Sequence, residues 1–454
     1  MKRGEKCRAV RAALSAPLCL IAALLSACQP TPTEDVVVQR VELNVLGQEE
    51  QSAPAGPVLA DLLPLPERVD RPERTLGIGG VAFAAEVAAP EAEVCPVVEV
   101  RQAPFTTERL RALAEAFCPG TALYHSWEQT REELIELRTA LLESGIDSED
   151  AQIKLKWLDE TIPTAPLTVE KVPFSWDEVP ASGYLGIRAQ REGGNFSTLH
   201  LGPHLFAYFR DGDHALLPKS AFTEREFSRF PAPEVTQEAA EAAAMEALAL
   251  ASVSPERVRM TGVEQYVDQR GGMPVCTGYL VSFAEVYAGL PGIHANGVSL
   301  VKPDVPPSTG APWGAEMICF YMDDKGVAQF LWQDPCAFGA VLEEDAALLP
   351  FEQAVERAEQ LLLYQHAQIP GVEADETDGV LQHVEVCRIS LVRGCIQLRD
   401  ERDVGQSVPL WRFDYVERYD EDADPLEHVL YLDARTGAYV EPRMDMETLM
   451  QLSS

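Results

Sequence analysis

The stretch Val429–Val440 has the sequence VLYLDARTGAYV. Two runs of apolar, aromatic and β-branched residues, which favour strands, lie on either side of Asp433, Thr436 and Gly437. Gly437 accepts the positive φ that a tight turn requires, and the side chains of Asp433 and Thr436 can bond the turn backbone. The stretch therefore predicts a strand, a turn and a returning strand near the end of the chain.

A helix and further strands precede this hairpin, and the same order occurs earlier in the chain. Helical periodicity is found at 236–251 and again from Phe351 to Tyr364. Strand-like segments follow each helix, and the first set ends in a hairpin that turns on Asp323–Gly326. We therefore predict two copies of one α+β unit, at 231–345 and 346–442, followed by a tail at 443–454.

The preceding region, 74–230, also mixes helices and strands. Valine-rich strands are predicted at 76–84 and 94–100, and a helix is predicted to begin after Phe105. Thr130 and Glu133 form a capping-box pattern for a second helix, which a third helix follows. The segment 184–209 alternates like a small antiparallel sheet. The chain as a whole is predicted to be α+β, with antiparallel sheets and packed helices.

The N-terminus has the layout of an export signal. Basic residues in the first eleven positions precede an apolar run at 13–25, which is too short to span a bilayer. Leu25–Cys28 (LSAC) then resembles the bacterial lipoprotein signal, which implies cleavage between Ala27 and Cys28 and a thioether-linked lipid on Cys28. The alternative is a secreted protein in which Cys28 is incidental. We predict a signal peptide at 1–27 and a cell-membrane protein, lipid-anchored on the extracytoplasmic face.

Composition constrains the chain beyond the signal. Proline-rich sequence predicts a disordered tether at 28–73, because such a segment buries too few apolar residues to form a core. The chain carries a formal net charge of −35, which repels nucleic acid. Apolar residues make up 46% of the chain, as expected for a globular protein.

The cysteines beyond Cys28 are widely spaced and odd in number. No Cys-x-x-Cys pair occurs, so the pattern argues against a zinc ribbon or a disulfide scaffold. Most are predicted to be buried thiols, and one or two disulfides remain an alternative in an exported chain. They are Cys95, Cys118, Cys276, Cys319, Cys336, Cys387 and Cys395.

One pair of histidines and one glycine-rich segment each match a metal-site or cofactor-site pattern only in part. His200 and His204 are separated by Gly202 and Pro203, which break a helix, and no glutamate lies between them, unlike in zinc hydrolases. The segment 77–82 fits the loose Gly-x-Gly-x-x-Ala dinucleotide pattern, but a strand-like segment and not a helix is expected after it. We predict no cofactor.

Acidic and aromatic residues have simpler explanations. The aspartates at 211, 213, 323 and 324 match hairpin turns better than a calcium loop. Many carboxylates could supply a glycosidase pair, but no two are singled out. Trp313, Trp332 and Trp411 are predicted to be core residues, with a binding groove as the alternative.

The hairpin at 429–440, the helix at 351–364 and the strand at 409–413 (PLWRF) resemble PepSY-like domains. The lipobox, the spacer, Pro104–Thr106 (PFT) and Leu331–Pro335 (LWQDP) resemble an uncharacterised family of bacterial lipoproteins with a domain of unknown function. The PepSY resemblance implies regulation of peptidases or membrane sensor kinases by protein contact.

We therefore expect a non-enzymatic binding or regulatory protein that acts on an envelope protein or peptide. The alternatives are an envelope hydrolase without a recognisable motif and a solute-binding lipoprotein.

Overall fold

The structure is a computed structural model that describes thirteen segments of the chain. These are residues 56–75, 80–126, 129–143, 149–191, 196–212, 215–222, 227–270, 273–293, 309–310, 313–365, 383–397, 404–419 and 425–441. The signal segment, Ala27 and Cys28 lie outside them, as does the tail at 443–454.

The described segments contain six α-helices and confirm an α+β fold dominated by antiparallel sheets. The helices are α1 (Leu59–Leu62), α2 (Thr107–Phe117), α3 (Arg131–Glu143), α4 (Glu149–Thr161), α5 (Gln237–Leu250) and α6 (Phe351–Gln365). None of these six combines the length and the apolar character needed to cross a bilayer.

The strands form two large sheets and one short pair. The first sheet contains β1 (Arg68–Thr75), β2 (Gly80–Val87), β3 (Val97–Gln102), β15 (Cys336–Glu343), β16 (His383–Gln397), β17 (Val404–Arg418) and β18 (Leu426–Asp433). The second contains β4 (Leu123–His125), β5 (Leu185–Gln190), β6 (Phe196–Gly202), β7 (Leu205–Phe209), β8 (Ala215–Pro218), β9 (Val258–Arg270), β10 (Met273–Tyr287), β11 (Leu290–Pro291), β13 (Met317–Asp323) and β14 (Gly326–Gln333). The third pairs β12 (Thr309–Gly310) with β19 (Val440–Glu441).

The first sheet joins strands that are far apart in sequence. Its order is β1-β2-β16-β17-β3-β15, with β18 beside β17, and only β2 and β16 are parallel. The second sheet follows the order β4-β5-β6-β7-β14-β13-β10-β9-β8, with β11 beside β10. Each sheet thus takes strands from more than one of the regions predicted at 74–230, 231–345 and 346–442. The predicted region boundaries do not coincide with the sheets.

Each of the two predicted units does begin with a helix that an antiparallel meander follows. After α5 the strands β9, β10, β13 and β14 pair in succession, and after α6 the strands β16, β17 and β18 do so. The PepSY-like character of these units remains a prediction.

Local signals in the sequence account for several boundaries. The Thr130–Glu133 capping box forms as predicted: Thr130 N donates to Glu133 Oε2 at 2.7 Å and Glu133 N donates to Thr130 Oγ1 at 3.3 Å. The turn at 433–437 is also confirmed, because Gly437 has φ of +73° and its N–H donates to the Asp433 carbonyl at 2.7 Å. The returning segment pairs with β18 only at the bridge between Leu432 and Tyr439. Its next residues form β19, which pairs with β12.

One hydrophobic core lies between the second sheet and the helices α2 and α5. Ala240, Ala244 and Ala247 form one stripe of α5 and are buried, so this helix can lie close to the sheet. From the sheet, Phe206, Phe283, Phe320 and Phe330 fill the space opposite. The alanine-rich sequence therefore serves close helix–sheet packing as well as helix propensity.

The predicted tether at 28–73 is wrong from residue 56 onward. Leu59 is fully buried, Leu348 N donates to the Pro57 carbonyl at 2.8 Å, and β1 pairs with β2 over its length. The segment 68–75 (RVDRPERT) has one apolar residue, Val69, and so lacks a hydrophobic pattern. It is held by backbone pairing and by ion pairs, which composition does not reveal.

The ion pairs of β1 converge on Glu359 of α6. The Glu359 side chain is 4% exposed, and its Oε2 accepts from Arg71 at 3.3 Å and from Arg74 at 2.9 Å. Arg71 also pairs with Glu352, which is 71% exposed.

We expect Glu359→Gln to lower the free energy of unfolding by about 1–3 kcal/mol, because two charged hydrogen bonds to a buried carboxylate are lost. The matched variant Glu352→Gln should cost less than about 1 kcal/mol, as an exposed pair does. Urea unfolding measures both. Equal losses of unfolding free energy in the two variants would contradict the inference that the ion pairs of Glu359 stabilise β1.

Candidate functional site

A cluster of three ionisable side chains, two of them buried and one half-buried, lies where the chain crosses between the two large sheets. Its members are Glu285, Glu316 and Cys336, which we call the acid–thiol cluster. One ligand atom from each lies within 4.8 Å of the other two.

The backbone brings these residues together through long-range pairing. Glu285 lies on β10 opposite Val258, and Glu316 directly precedes β13. Cys336 begins β15, three residues after β14 ends, so the crossing from one sheet to the other takes two residues. Asp334 at this crossing has φ of +47°, and its N–H donates to the His204 carbonyl at 2.9 Å. The tight crossing thus places the thiol beside carboxylates of the other sheet.

Glu316 is the most enclosed carboxylate of the cluster, with its side chain 1% exposed. Arg257 Nη2 donates to Oε1 at 2.9 Å and to Oε2 at 2.7 Å, and Trp332 Nε1 donates to Oε1 at 2.8 Å. Arg257 also donates to the Cys336 carbonyl at 3.1 Å. A charged partner and an indole therefore fix the orientation of this carboxylate.

The thiol of Cys336 donates toward both glutamates. Its Sγ lies 2.7 Å from Glu285 Oε2 and 3.5 Å from Glu316 Oε2. Burial, and then the charges of the two carboxylates, raise the pKa of this thiol well above its usual value. In this arrangement Cys336 is a hydrogen-bond donor and not a nucleophile, since the thiolate is the reactive form.

Two carboxyl groups near the thiol hold their protons unusually well. Burial, and then the charge of Glu316, raise the pKa of Glu285 to about 7. The same two causes raise the pKa of Asp334 to about 6. Both carboxyl groups therefore remain partly protonated at pH values where exposed carboxylic acids are ionised.

A cavity of about 20 Å³ adjoins the cluster, with Trp313 and Arg393 on its wall. This volume holds roughly one water molecule. Arg393 is 1% exposed and donates to the Pro96 carbonyl at 2.9 Å and to Ser407 Oγ at 3.0 Å. Burial lowers the pKa of this guanidinium to about 10. The cavity is too small for a sugar or a peptide.

A larger, more open groove of about 320 Å³ lies beside α2. Phe174 and Trp176 line it together with Arg111, Glu115 and Thr121. The Arg111 guanidinium stands over the Trp176 ring, 5.4 Å from its centroid. The groove has the volume of a small-ligand site, but it lacks a cluster of carboxylic acids with raised pKa.

The structure does not bring the two sequence-predicted histidines into a group of three ligating side chains among the described residues. The His200 ring stacks on Tyr184 with 5.0 Å between centroids. Burial lowers the pKa of His204, whose Nδ1 has no hydrogen-bond partner. In the dinucleotide pattern, residues 76–79 lie outside the described segments, and the strand β2 begins at Gly80, where a cofactor loop would need a helix.

The turn aspartates at 211 and 323 form ion pairs. Asp323 pairs with the buried guanidinium of Arg210, with Nη1 and Oδ1 2.8 Å apart, and accepts from Lys325 N at 2.8 Å. Asp211 pairs with Arg191 at 3.0 Å. Asp213 lies outside the described residues, and Asp324 is exposed.

The three tryptophans predicted as core residues are all buried, and so are four of the six cysteines whose side chains are described. All six are free thiols, whereas Cys387 is exposed and Cys395 is half-buried. Trp313 and Trp332 also contact the acid–thiol cluster, a role that the sequence did not indicate. Glu285 and Glu316 carried no sequence signal, because no local spacing links them to Cys336.

Comparison with known proteins leaves the family open. No family model matches the chain, and no curated protein matches it. A crystal structure of an uncharacterised protein from Eubacterium rectale aligns with 87% of this chain and 97% of its own, at 11% sequence identity and a TM-score of 0.48. This likeness is too distant to carry an argument about function.

The raised pKa of Glu285 makes stability depend on pH. A carboxylic acid whose pKa is about 7 when folded and 4.5 ordinarily takes up a proton on folding between these pH values. Its contribution to the free energy of unfolding is therefore present at low pH and is lost as the pH rises from about 4.5 to about 7. We expect Glu285→Gln to remove this loss, so that the variant gains about 3 kcal/mol relative to wild type between pH 4.5 and pH 8.

Denaturant unfolding at several pH values in metal-free buffer tests this expectation. The exposed residue Glu93 provides a control, because Glu93→Gln should leave the difference from wild type constant across the range. A Glu285→Gln variant with the same pH profile as wild type would contradict the expected proton uptake.

Proposed function

We propose that this chain is a lipid-anchored extracytoplasmic protein that binds and regulates an envelope partner without catalysing a reaction. The observation that carries the proposal is the Leu25–Cys28 lipobox behind a basic and then an apolar segment. Lipid on Cys28 would keep the folded part of the chain at the membrane surface, where it meets envelope proteins.

The geometry of the acid–thiol cluster favours a binding protein over a hydrolase. A glycosidase needs two carboxyl groups with a sugar between them, and ligand pockets of enzymes usually exceed about 300 Å³. Here the two glutamates share a thiol between them, and the adjoining cavity is about 20 Å³. A sugar substrate does not fit into a cavity of this volume.

The regulatory part of the proposal is supported by the repeated helix and meander. The resemblance of 429–440 to the end of PepSY-like domains suggests contact with a peptidase or a sensor kinase, and a helix followed by an antiparallel meander occurs twice in the described segments. A net charge of −35 favours a partner with a basic face. The open groove beside α2 is a second place where a small part of such a partner would fit.

An envelope hydrolase is the second candidate function. The raised pKa values of Glu285 and Asp334 favour it, because acid–base catalysts commonly show such shifts. It would require the cavity to open far enough to admit a substrate.

We expect Cys28→Ala to abolish incorporation of radiolabelled palmitate and to release the protein from the membrane fraction. Cys19→Ala is the matched control, because this cysteine lies in the same signal segment outside the lipobox. The control should be labelled and sedimented like wild type. Palmitate on the Cys28→Ala variant would contradict the assigned anchor.

The same pair of variants tests the partner. Cross-linking in native membranes followed by affinity purification should recover one stoichiometric envelope protein with wild type and Cys19→Ala, and not with Cys28→Ala. Recovery of no such protein with several cross-linkers would overturn the regulatory proposal, while hydrolysis of an envelope polymer by the purified chain would favour the second candidate.

A further inference from the structure

The acid–thiol cluster offers more than hydrogen bonds between neighbouring strands. Glu285, Glu316 and Cys336 come from three separate segments and place one sulfur and two carboxylate oxygens within 4.8 Å of one another. We propose that this cluster binds one divalent transition-metal ion, with Cys336 Sγ and one oxygen each from Glu285 and Glu316 as its protein ligands. This inference goes beyond the proposed function and does not depend on the lipid anchor.

The distances match a four-coordinate ion after a small adjustment. With a metal–sulfur bond of about 2.3 Å and a metal–oxygen bond of about 2.1 Å, tetrahedral geometry separates sulfur from oxygen by about 3.6 Å. The distance from Cys336 Sγ to Glu316 Oε2 is already 3.5 Å. The distance to Glu285 Oε2 is 2.7 Å, which is that of a hydrogen bond, and it must lengthen by about 1 Å once the bridging proton leaves.

The surroundings of Glu316 prepare one of its oxygens for the ion. Trp332 donates to Oε1 only, at 2.8 Å, and thereby turns Oε2 toward the thiol. Arg257 contacts both oxygens and can retain Oε1 while Oε2 coordinates. Groups that hold a ligand by its other atom in this way are a regular feature of protein metal sites.

The adjoining cavity provides space for a fourth ligand. It is bordered by all three side chains, and its volume of about 20 Å³ accommodates a single water molecule. A water molecule there would be the fourth ligand of a tetrahedral ion. The cavity is an observation independent of the ligand distances, and it provides the space that a fourth ligand of the ion requires.

Charge balance favours a divalent ion. When the Cys336 thiol gives up its proton, the thiolate and the two carboxylates carry three negative charges, and Arg257, which contacts Glu316, offsets one of them. A divalent ion neutralises the remaining two, so binding leaves no uncompensated charge in this enclosed place. A thiolate with two carboxylates selects an ion of the Zn²⁺ type over Mg²⁺ or Ca²⁺, which prefer oxygen ligands alone.

Titration of the full chain, purified in detergent and stripped of metal, with Co²⁺ as the probe tests the site. Co²⁺ bound to a thiolate gives a charge-transfer absorption band in the near ultraviolet, and Zn²⁺ should displace it at one equivalent. Because each proton released makes the affinity rise about tenfold per pH unit, affinity should increase with pH. Absence of the band, or an affinity independent of pH, would overturn the proposal.

Variants identify the ligands. We expect Cys336→Ser to lose the band and Glu285→Gln to weaken Co²⁺ binding at least tenfold, whereas Cys387→Ser and Cys395→Ser should bind like wild type. Cys387 is the exposed thiol, and Cys395 borders the same cavity without belonging to the cluster. Loss of the band in either of the latter two would place the ion elsewhere and overturn the assignment.

X-ray absorption at the zinc edge of the loaded wild-type protein gives an answer even if a variant fails to fold. The assigned ligands require one sulfur at about 2.3 Å and oxygen neighbours at about 2.0–2.2 Å. A first shell without sulfur would contradict the site.

Discussion

The parallel pairing of β2 with β16 is the constraint on which the rest of the molecule depends. It joins residues 80–87 to residues 383–389, so the chain must return across nearly three hundred residues before the first sheet is complete. Closing a long loop costs conformational entropy, although the cost grows slowly with length. The burial of Val81, Phe83, Val384 and Val386 in this pairing offsets part of that cost. The strands β3 and β15 also belong to the first sheet, and all ten strands of the second sheet come from the chain between them.

The two crossings between the sheets follow from this arrangement. The chain leaves the first sheet after β3 and re-enters it at β15, and the second crossing leaves only Asp334 and Pro335 between strands. Strand ends of both sheets therefore meet there, and polar side chains that would face solvent in an isolated sheet become enclosed. Glu316, Cys336 and Arg257 are brought together by this meeting and not by any local motif. The acid–thiol cluster is thus a consequence of the topology.

The sequence predicted the local features well and the long-range ones poorly. The capping box at Thr130, the helix at 236–251 and the turn at Asp433–Gly437 each depend on residues that are close together in the sequence, and the structure confirms them. The strand β1 was missed because it holds one buried apolar residue and depends on Glu359, almost three hundred residues away. The candidate site was missed for the same reason, since Glu285 and Cys336 are 51 residues apart and adjoin only through sheet pairing.

Buried charge at the cluster is compensated differently from that in two buried ion pairs elsewhere in the described structure. Arg210 pairs with Asp323, and Arg71 with Glu359, so each buried group has a partner of opposite charge at hydrogen-bond distance. At the cluster Arg257 is the cationic partner of Glu316, whereas burial raises the pKa of Glu285 to about 7 and Arg393 donates to neutral oxygens of Ser407 and Pro96. Replacing such a set by apolar residues of similar volume often costs no stability, so structural need does not account for it. Arrangements that do not serve stability are commonly found at functional or strained sites of proteins.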